Sequence, residues 1–257
     1  MKDIIDASLE YFELPEEDKR QYEAKSPSDP IKFGSGNVVT LAYQKINLWR
    51  DFVKSYVHPE FHCPDKPHKL RKNLMNISRE NYSRTSVKTL DWKKDCIDEG
   101  LKLDSCFQLY APNYYPPCPQ PDQAIGLPAH TDHGLLTFLI HNGIAGLQIQ
   151  HKGEWFNTNS PQNSILVNTA DHLEIFSNGR YKSVRHRAVV NSEATRISVV
   201  MANGAAPDAI VKPAEPLVEQ DGRAYYRPMK FIEYVETMLS NRLQGKSNLD
   251  CIKIQDA

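Results

Sequence analysis

Apolar residues recur at helical spacing from the start of the chain, where Ile4, Ile5, Ala7, Leu9, Tyr11 and Phe12, with Ser8 among them, form one face of a segment running from Met1 to about Lys25. Within it, "LPEEDKR" sets a proline ahead of acids, the pattern that opens a second helix. "SPSDPIKFGSGN" is a loop by its Pro, Gly, Ser and Asn content. Residues 67–104 predict helix again, ending in the weakly amphipathic "KTLDWKKDCIDEG", and so do residues 222–244. After Leu103 the texture changes to short runs of β-branched and aromatic residues punctuated by Gly, Pro and Asn. These runs are "SCFQLYAPNYY", "LLTFLIH", "GLQIQ", "EWFNTN", "SILVNTA", "HLEIFS", "SVRHRAVV" and "RISVVMAN". "GLQIQHKGEWFNT" reads as a hairpin with "HKG" at its turn, and "SNGRYKS" carries an Asn-Gly turn. About eight short strands in about 100 residues suit a jelly roll or another double-sheet barrel. The pattern divides the chain into a helical region over 1–104, a β core over 105–221, and a C-terminal helix and tail over 222–257.

Composition narrows the function. The chain has 257 residues, enough to bury a sizeable core, and a net charge of −1, which supplies no basic field for a nucleic acid or an anionic membrane. A small-molecule partner is expected. The opening "MKDIIDASLEYFELPEEDKR" has no apolar leader, and no run approaches the roughly 18 residues of a spanning helix. Five cysteines, odd in number and without a C-x-x-C pair, argue against a disulfide framework and against a thiolate zinc site. These features predict a soluble, monomeric protein of the cytoplasm.

The candidate chemistry lies in "PAHTDHGLL". In a strand, residues two apart share a face, so His130 and Asp132 would point together while His133 points away. "YKSVRHRAVV" supplies His186 on a later strand. Two histidines and one carboxylate make the facial triad, which leaves one side of a six-coordinate ion open and suits non-haem Fe(II). A lone H-x-D is ordinarily a cap or surface group in a chain with nine histidines. Here "RIS" follows, and Arg196 and Ser198 on one strand face offer a guanidinium fork and a hydroxyl suited to a carboxylate.

With "LEYFELPEEDKRQY", "LWRDFVKSYVHPEF", "NYYPPCPQPDQAIGLPAHTDHGLLTFL", "GLQIQHKGEW", "SILVNTADHLEIFSNGRYKSVRHRAVVN" and "ATRISVVMANG", nearly the whole chain resembles the plant 2-oxoglutarate- and Fe(II)-dependent dioxygenases. Within that family it resembles the downy-mildew-resistance-like and flavanone 3-dioxygenase-like members. The resemblance implies an α+β fold with a double-stranded β-helix (jelly roll) core between N-terminal and C-terminal helices. It implies that His130, Asp132 and His186 bind Fe(II), and that Arg196 with Ser198 holds the distal carboxylate of 2-oxoglutarate. Asn113 and Tyr115 of "NYYPPCP" match positions that contact the cosubstrate near the metal. O2 would be the oxidant and ascorbate the reductant. The substrate would be a small plant metabolite such as a flavonoid, phenolic or alkaloid, with hydroxylation the default outcome. Two alternatives stand beside this: an ascorbate-dependent oxidase of the same family, and a truncated, catalytically silent metal-binding protein.

The other candidates carry blander readings. His141 and His151 flank turns and are expected at the surface, His172 is expected to pack or face solvent, and Cys118 reads as a buried thiol. Trp49, Tyr43 and Phe33 fall in or beside a loop that, by resemblance, approaches the substrate pocket, although core packing serves them equally well. Relatives begin with further residues, including a strand of the barrel sheet, so a shortened start, an exposed sheet edge and a thinner pocket wall are expected.

Overall fold

The structure is a computed structural model that describes residues 1–26, 28–36, 38–41, 44–79, 100–161, 163–244 and 249–254. Helix α1 (Lys2–Phe12) is amphipathic as its spacing predicts, with Ile4, Ala7, Ser8, Tyr11 and Phe12 buried. Helix α2 (Glu16–Arg20) follows from Pro15, with its acids in the first turn and its bases in the last. Four strands come next: β1 (Ile31–Gly34), β2 (Val38–Leu41), β3 (Gln44–Leu48) and β4 (Asp51–His58). The helical region assigned to 1–104 is therefore corrected over 31–58. "PIKFG" is too short for periodicity to register, and β4 alternates, burying Val53, Ser55 and Val57 on one face. Helix α3 (His68–Arg79) lies where helix is expected, while residues 80–99, which include most of "KTLDWKKDCIDEG", fall outside the described residues.

The core then runs β5 (Phe107–Tyr115), β6 (Ala124–Ile125), β7 (Leu127–His130), β8 (Leu136–His141), β9 (Leu147–His151), β10 (Glu154–Asn157), β11 (Leu166–Thr169), helix α4 (Asp171–Phe176), β12 (His186–Ala188) and β13 (Arg196–Gly204). Strand β14 (Ile210–Val211), helix α5 (Glu215–Asp221), strand β15 (Met229–Lys230) and helix α6 (Phe231–Gln244) complete it. The C-terminal helix thus starts at 231 rather than 222, because Met229 and Lys230 pair with Ile210 and Val211.

Two sheets face each other. The larger has the order β1-β4-β5-β13-β8-β11 and the smaller β10-β9-β12-β7, so strands alternate between layers as a jelly roll requires. Strands β5 and β13 pair without interruption from Phe107↔Gly204 to Tyr115↔Arg196 and are buried on nearly every residue. Both faces are covered. Helices α1 and α3 pack over the outer face with Val53, Val57, Ile197, Val199 and Met201, and the Ser8 and Tyr110 hydroxyls meet at 2.7 Å. The β1 edge of the larger sheet is bridged by Glu23 at Phe33, whose N–H donates to the Tyr22 carbonyl at 2.7 Å.

"HLEIFS", read as a strand, is helix α4. In a six-residue run the polar Asp171, His172 and Glu174 are buried along with the apolar residues, so no solvent-facing side sets a period. The "SNG" that follows does not turn a hairpin but stops this helix. Asn178 takes φ 51°, its N–H reaches the Ile175 carbonyl, and Gly179 N–H reaches the Glu174 carbonyl at 2.8 Å, which is a Schellman cap. The β9–β10 hairpin is as predicted, with Lys152 and Gly153 both at positive φ.

Candidate metal and cosubstrate site

Strands β7 and β12 are neighbours in the smaller sheet, and their register sets His130 opposite His186 with ring centroids 4.3 Å apart. Strand β7 ends at His130, so Asp132 is carried by the turn after it, not by strand alternation. The turn brings the carboxylate back over the two rings. Asp132 Oδ1 lies 3.7 Å from His130 Nε2 and 3.8 Å from His186 Nε2. One donor atom from each of the three residues falls within 4.8 Å of the others, the one such cluster of three or more among the described residues. The separations exceed those of charge-assisted hydrogen bonds and suit donors that converge on a shared ion.

The tautomers are fixed from behind. His130 Nδ1 lies 2.8 Å from the Pro128 carbonyl and His186 Nδ1 lies 2.9 Å from the Val184 carbonyl. A carbonyl only accepts, so each Nδ1 carries the proton and each Nε2 presents a lone pair toward Asp132. Burial acts to raise the Asp132 carboxyl, and when His186 and His130 are protonated their positive charge outweighs it and holds the group below the ordinary carboxylate range. Asp132 Oδ2 is buried without a hydrogen bond of ordinary geometry among the described residues. Two lone pairs, one ionised carboxylate and an unsatisfied oxygen are what a divalent iron needs from its protein side.

His133 turns away and packs against Phe107 and Phe231 at 5.6 and 6.0 Å, where burial pushes its pKa down to about 4. His172 is fully buried between Phe231 and Tyr234, at 4.9 and 5.0 Å. His141 is half-buried and accepts from the Gly143 N–H through Nδ1, whereas His151 is exposed. Phe33 belongs to the core against Tyr11, not to a pocket. Trp49 donates from its indole to the Pro116 carbonyl at 3.0 Å, Cys118 is buried, and Tyr43 lies outside the described residues.

Arg196 opens β13 and reaches from the larger sheet toward the smaller one. Only 2% of it is exposed. Its guanidinium stands over the Tyr115 ring at 5.1 Å and donates to Ser198 Oγ at 3.3 Å, while Nε has no partner among the described residues. Its stem crosses Gly146, where a Cβ would come within 2.7 Å of Arg196 Cδ. Gly126 gives the same clearance to the Tyr115 ring, at 2.6 Å. A buried cation without a carboxylate is costly, and burial draws its pKa below the usual arginine value. The arrangement suits an acidic ligand. Asn113 is buried too, its Oδ1 accepting from Arg50 at 2.6 Å and its Nδ2 donating to the Ala111 carbonyl at 3.0 Å. Sequence reasoning missed Arg50, Gly126, Gly146 and the two carbonyls behind the histidines. The glycines of "IGLPAH" and "AGLQIQ" were the available signal, since a glycine next to a strand marks close backbone approach.

Residues 106–203 match the family model described as the 2OG-Fe(II) oxygenase superfamily. The 2-oxoglutarate-dependent dioxygenase 19 of Oryza sativa subsp. japonica is 41% identical over 263 residues, covering 98% of this chain and 76% of its own length. Leucoanthocyanidin dioxygenase 2 of the same species is 32% identical over 276 residues, covering 96% and 72%. Among solved structures, JOX2 in complex with 2OG, Fe and JA superposes with a TM-score of 0.81 at 25% identity, over 99% of this chain and 78% of that one. The chain belongs to the 2-oxoglutarate- and Fe(II)-dependent oxygenases, among their plant members. It is a dioxygenase whose metal is Fe(II) and whose cosubstrate is 2-oxoglutarate.

Proposed function

We propose that the chain hydroxylates a small aromatic or polycyclic plant metabolite of the flavonoid kind, with His130, Asp132 and His186 holding Fe(II) and with Arg196 and Ser198 holding the distal carboxylate of 2-oxoglutarate. The observation that carries this reading is the buried guanidinium of Arg196, which has a hydroxyl beside it and no carboxylate partner among the described residues. When bound, the iron supplies O2 activation coupled to decarboxylation of 2-oxoglutarate to succinate. Within the protein, the Pro128 and Val184 carbonyls keep both Nε2 lone pairs available, and Asp132 completes the donor set with its carboxylate. Arg196 and Ser198 fix the far end of the cosubstrate, and Tyr115 flanks the guanidinium. Asn113 is held in place by Arg50 and lines the same face. The substrate class rests on two supports. Phe52 pairs with Asn113 and Tyr56 with Leu109, so β4 presents aromatic rings on the face that carries Asn113. The leucoanthocyanidin dioxygenase relative is named for a flavonoid.

The test is a panel of flavonoids, phenolic acids and alkaloids supplied with Fe(II), 2-oxoglutarate and ascorbate, with succinate and oxidised product both measured. Succinate formed one-for-one with a hydroxylated flavonoid supports the reading. Oxidation that consumes ascorbate and proceeds without 2-oxoglutarate would overturn it.

A further inference from the structure

The turn bearing Asp132 lies beyond the end of β7, and the hydrogen bonds that hold it come from another part of the chain. The N–H of Asp171 donates to the Asp132 carbonyl at 2.9 Å, that of His172 to the Gly134 carbonyl at 2.9 Å, and that of Ala170 to the Leu135 carbonyl at 3.1 Å. The start of α4 is thus stitched along residues 132–135. A side-chain link joins the same two segments. Thr131, between His130 and Asp132, donates from Oγ1 to Asp171 Oδ2 at 3.1 Å. Tyr234 of α6 donates its hydroxyl to that same oxygen at 2.6 Å. Asp171 and Tyr234 are both buried, at 0% and 1% exposed.

We propose that Asp171 is a positioning residue for Asp132, and that Tyr234 makes the C-terminal helix part of the same clamp. The inference rests on the reading of Asp132 as a metal ligand. The physical argument is one of placement. A carboxylate in so buried a site is costly unless it finds donors, and both of these reach Oδ2 from segments far apart in sequence, while Oδ1 has no hydrogen bond of ordinary geometry among the described residues. One of them is the residue immediately before Asp132. Losing the Thr131 hydroxyl leaves the turn held by the backbone bonds alone, and losing that of Tyr234 loosens Asp171 itself; either loosens the setting of Asp132 against the two imidazoles, which are themselves fixed on β7 and β12 by their own carbonyl contacts. The cluster is then a device for setting the carboxylate-to-imidazole spacing, and α6 contributes to the metal site without touching it.

The experiment uses the full chain loaded with Co(II) in place of iron, and reads the ligand-field absorption bands and the metal dissociation constant alongside the melting temperature. Asp171→Asn and Thr131→Val are expected to weaken metal binding about ten- to a hundredfold and to shift the cobalt bands, with Tyr234→Phe acting in the same direction and less strongly. Thr131→Ser keeps the hydroxyl and is expected to restore the parental bands. If Asp171→Asn folds too poorly to measure, the Thr131 pair decides alone. Unchanged bands and affinity in Thr131→Val, whatever its melting temperature, would reduce the cluster to a structural staple and overturn the proposal. Asp132→Ala is the reference. Parental cobalt bands in that variant would defeat the ligand assignment, whereas lost bands there beside unchanged bands in Thr131→Val would defeat the clamp alone.

Discussion

Replacing Arg196 with Met should raise stability in the absence of cosubstrate and abolish stabilisation by it, a crossing of effects that a merely structural arginine would not give. The parent buries a guanidinium that stands against Tyr115 and donates to Ser198 at 3.3 Å, while its Nε is unpartnered among the described residues. An unsatisfied buried polar group costs about 1–3 kcal/mol, more when charged. Met keeps the stem that lies across Gly146 and removes the charge. With about 2–4 °C per kcal/mol for a chain of this size, the melting temperature should rise by a few degrees. Cosubstrate reverses the order. At about 100 times its dissociation constant, a ligand stabilises the parent by about 2.7 kcal/mol, or roughly 5–10 °C. Each lost charge-assisted bond weakens binding by about 1.5–3 kcal/mol, so the Met variant should show no shift at that concentration. The assay is thermal unfolding of Fe(II)-loaded protein without oxygen, with and without 2-oxoglutarate. A lower melting temperature for Arg196→Met without ligand, together with a parental shift on adding it, would refute the reasoning and move the carboxylate site elsewhere.

Other variants test other parts of the site. His130→Ala, Asp132→Ala and His186→Ala should each lose iron and turnover together, while His133→Ala should keep iron content and lose only stability from its contacts with Phe107 and Phe231; metal analysis beside a melting curve separates these. Gly146→Ala forces a Cβ against Arg196 Cδ at 2.7 Å and the Val189 carbonyl at 2.9 Å, at φ +155°, so it should cost about 1–3 kcal/mol and raise the 2-oxoglutarate requirement more than the iron requirement. Burial pushes His172 from an ordinary 6.5 down to about 3, so the unfolded chain takes up its proton first and stability falls as the pH drops below about 6.5. That loss reaches about 3 kcal/mol at pH 4, and His172→Phe should move the acid-unfolding midpoint to lower pH; an unmoved midpoint would show that other groups govern acid unfolding.

How much the sequence disclosed follows from the length scale of each signal. The strands of the two sheets were legible because runs such as "RISVVMAN" and "GLQIQ" carry β-branched or alternating side chains for long enough to set a pattern, and the Lys152–Gly153 turn joins two of them at minimal length. Helix α4 was not, since its polar residues Asp171, His172 and Glu174 are buried with the apolar ones and mark no solvent face, and its Schellman cap uses the same Asn-Gly that turns a hairpin. The three candidate ligands were legible as residue types and spacing, although one step of the reasoning was physically wrong. Alternation along a strand does not bring Asp132 over His130, because the strand has ended. What brings it there is the set of amides from residues 170–172, which lie on the far side of β11 in sequence and leave no local trace near "HTD". The same holds for the imidazole tautomers. Each is set by a carbonyl two residues back, a contact to backbone that any residue at Pro128 or Val184 could supply, so side-chain identity does not record it. Side chains that touch the ion must have particular chemistry and show in the sequence. Those that aim them work through backbone geometry and through partners distant along the chain, and they become visible only when the fold brings α4 and α6 behind the turn that carries Asp132.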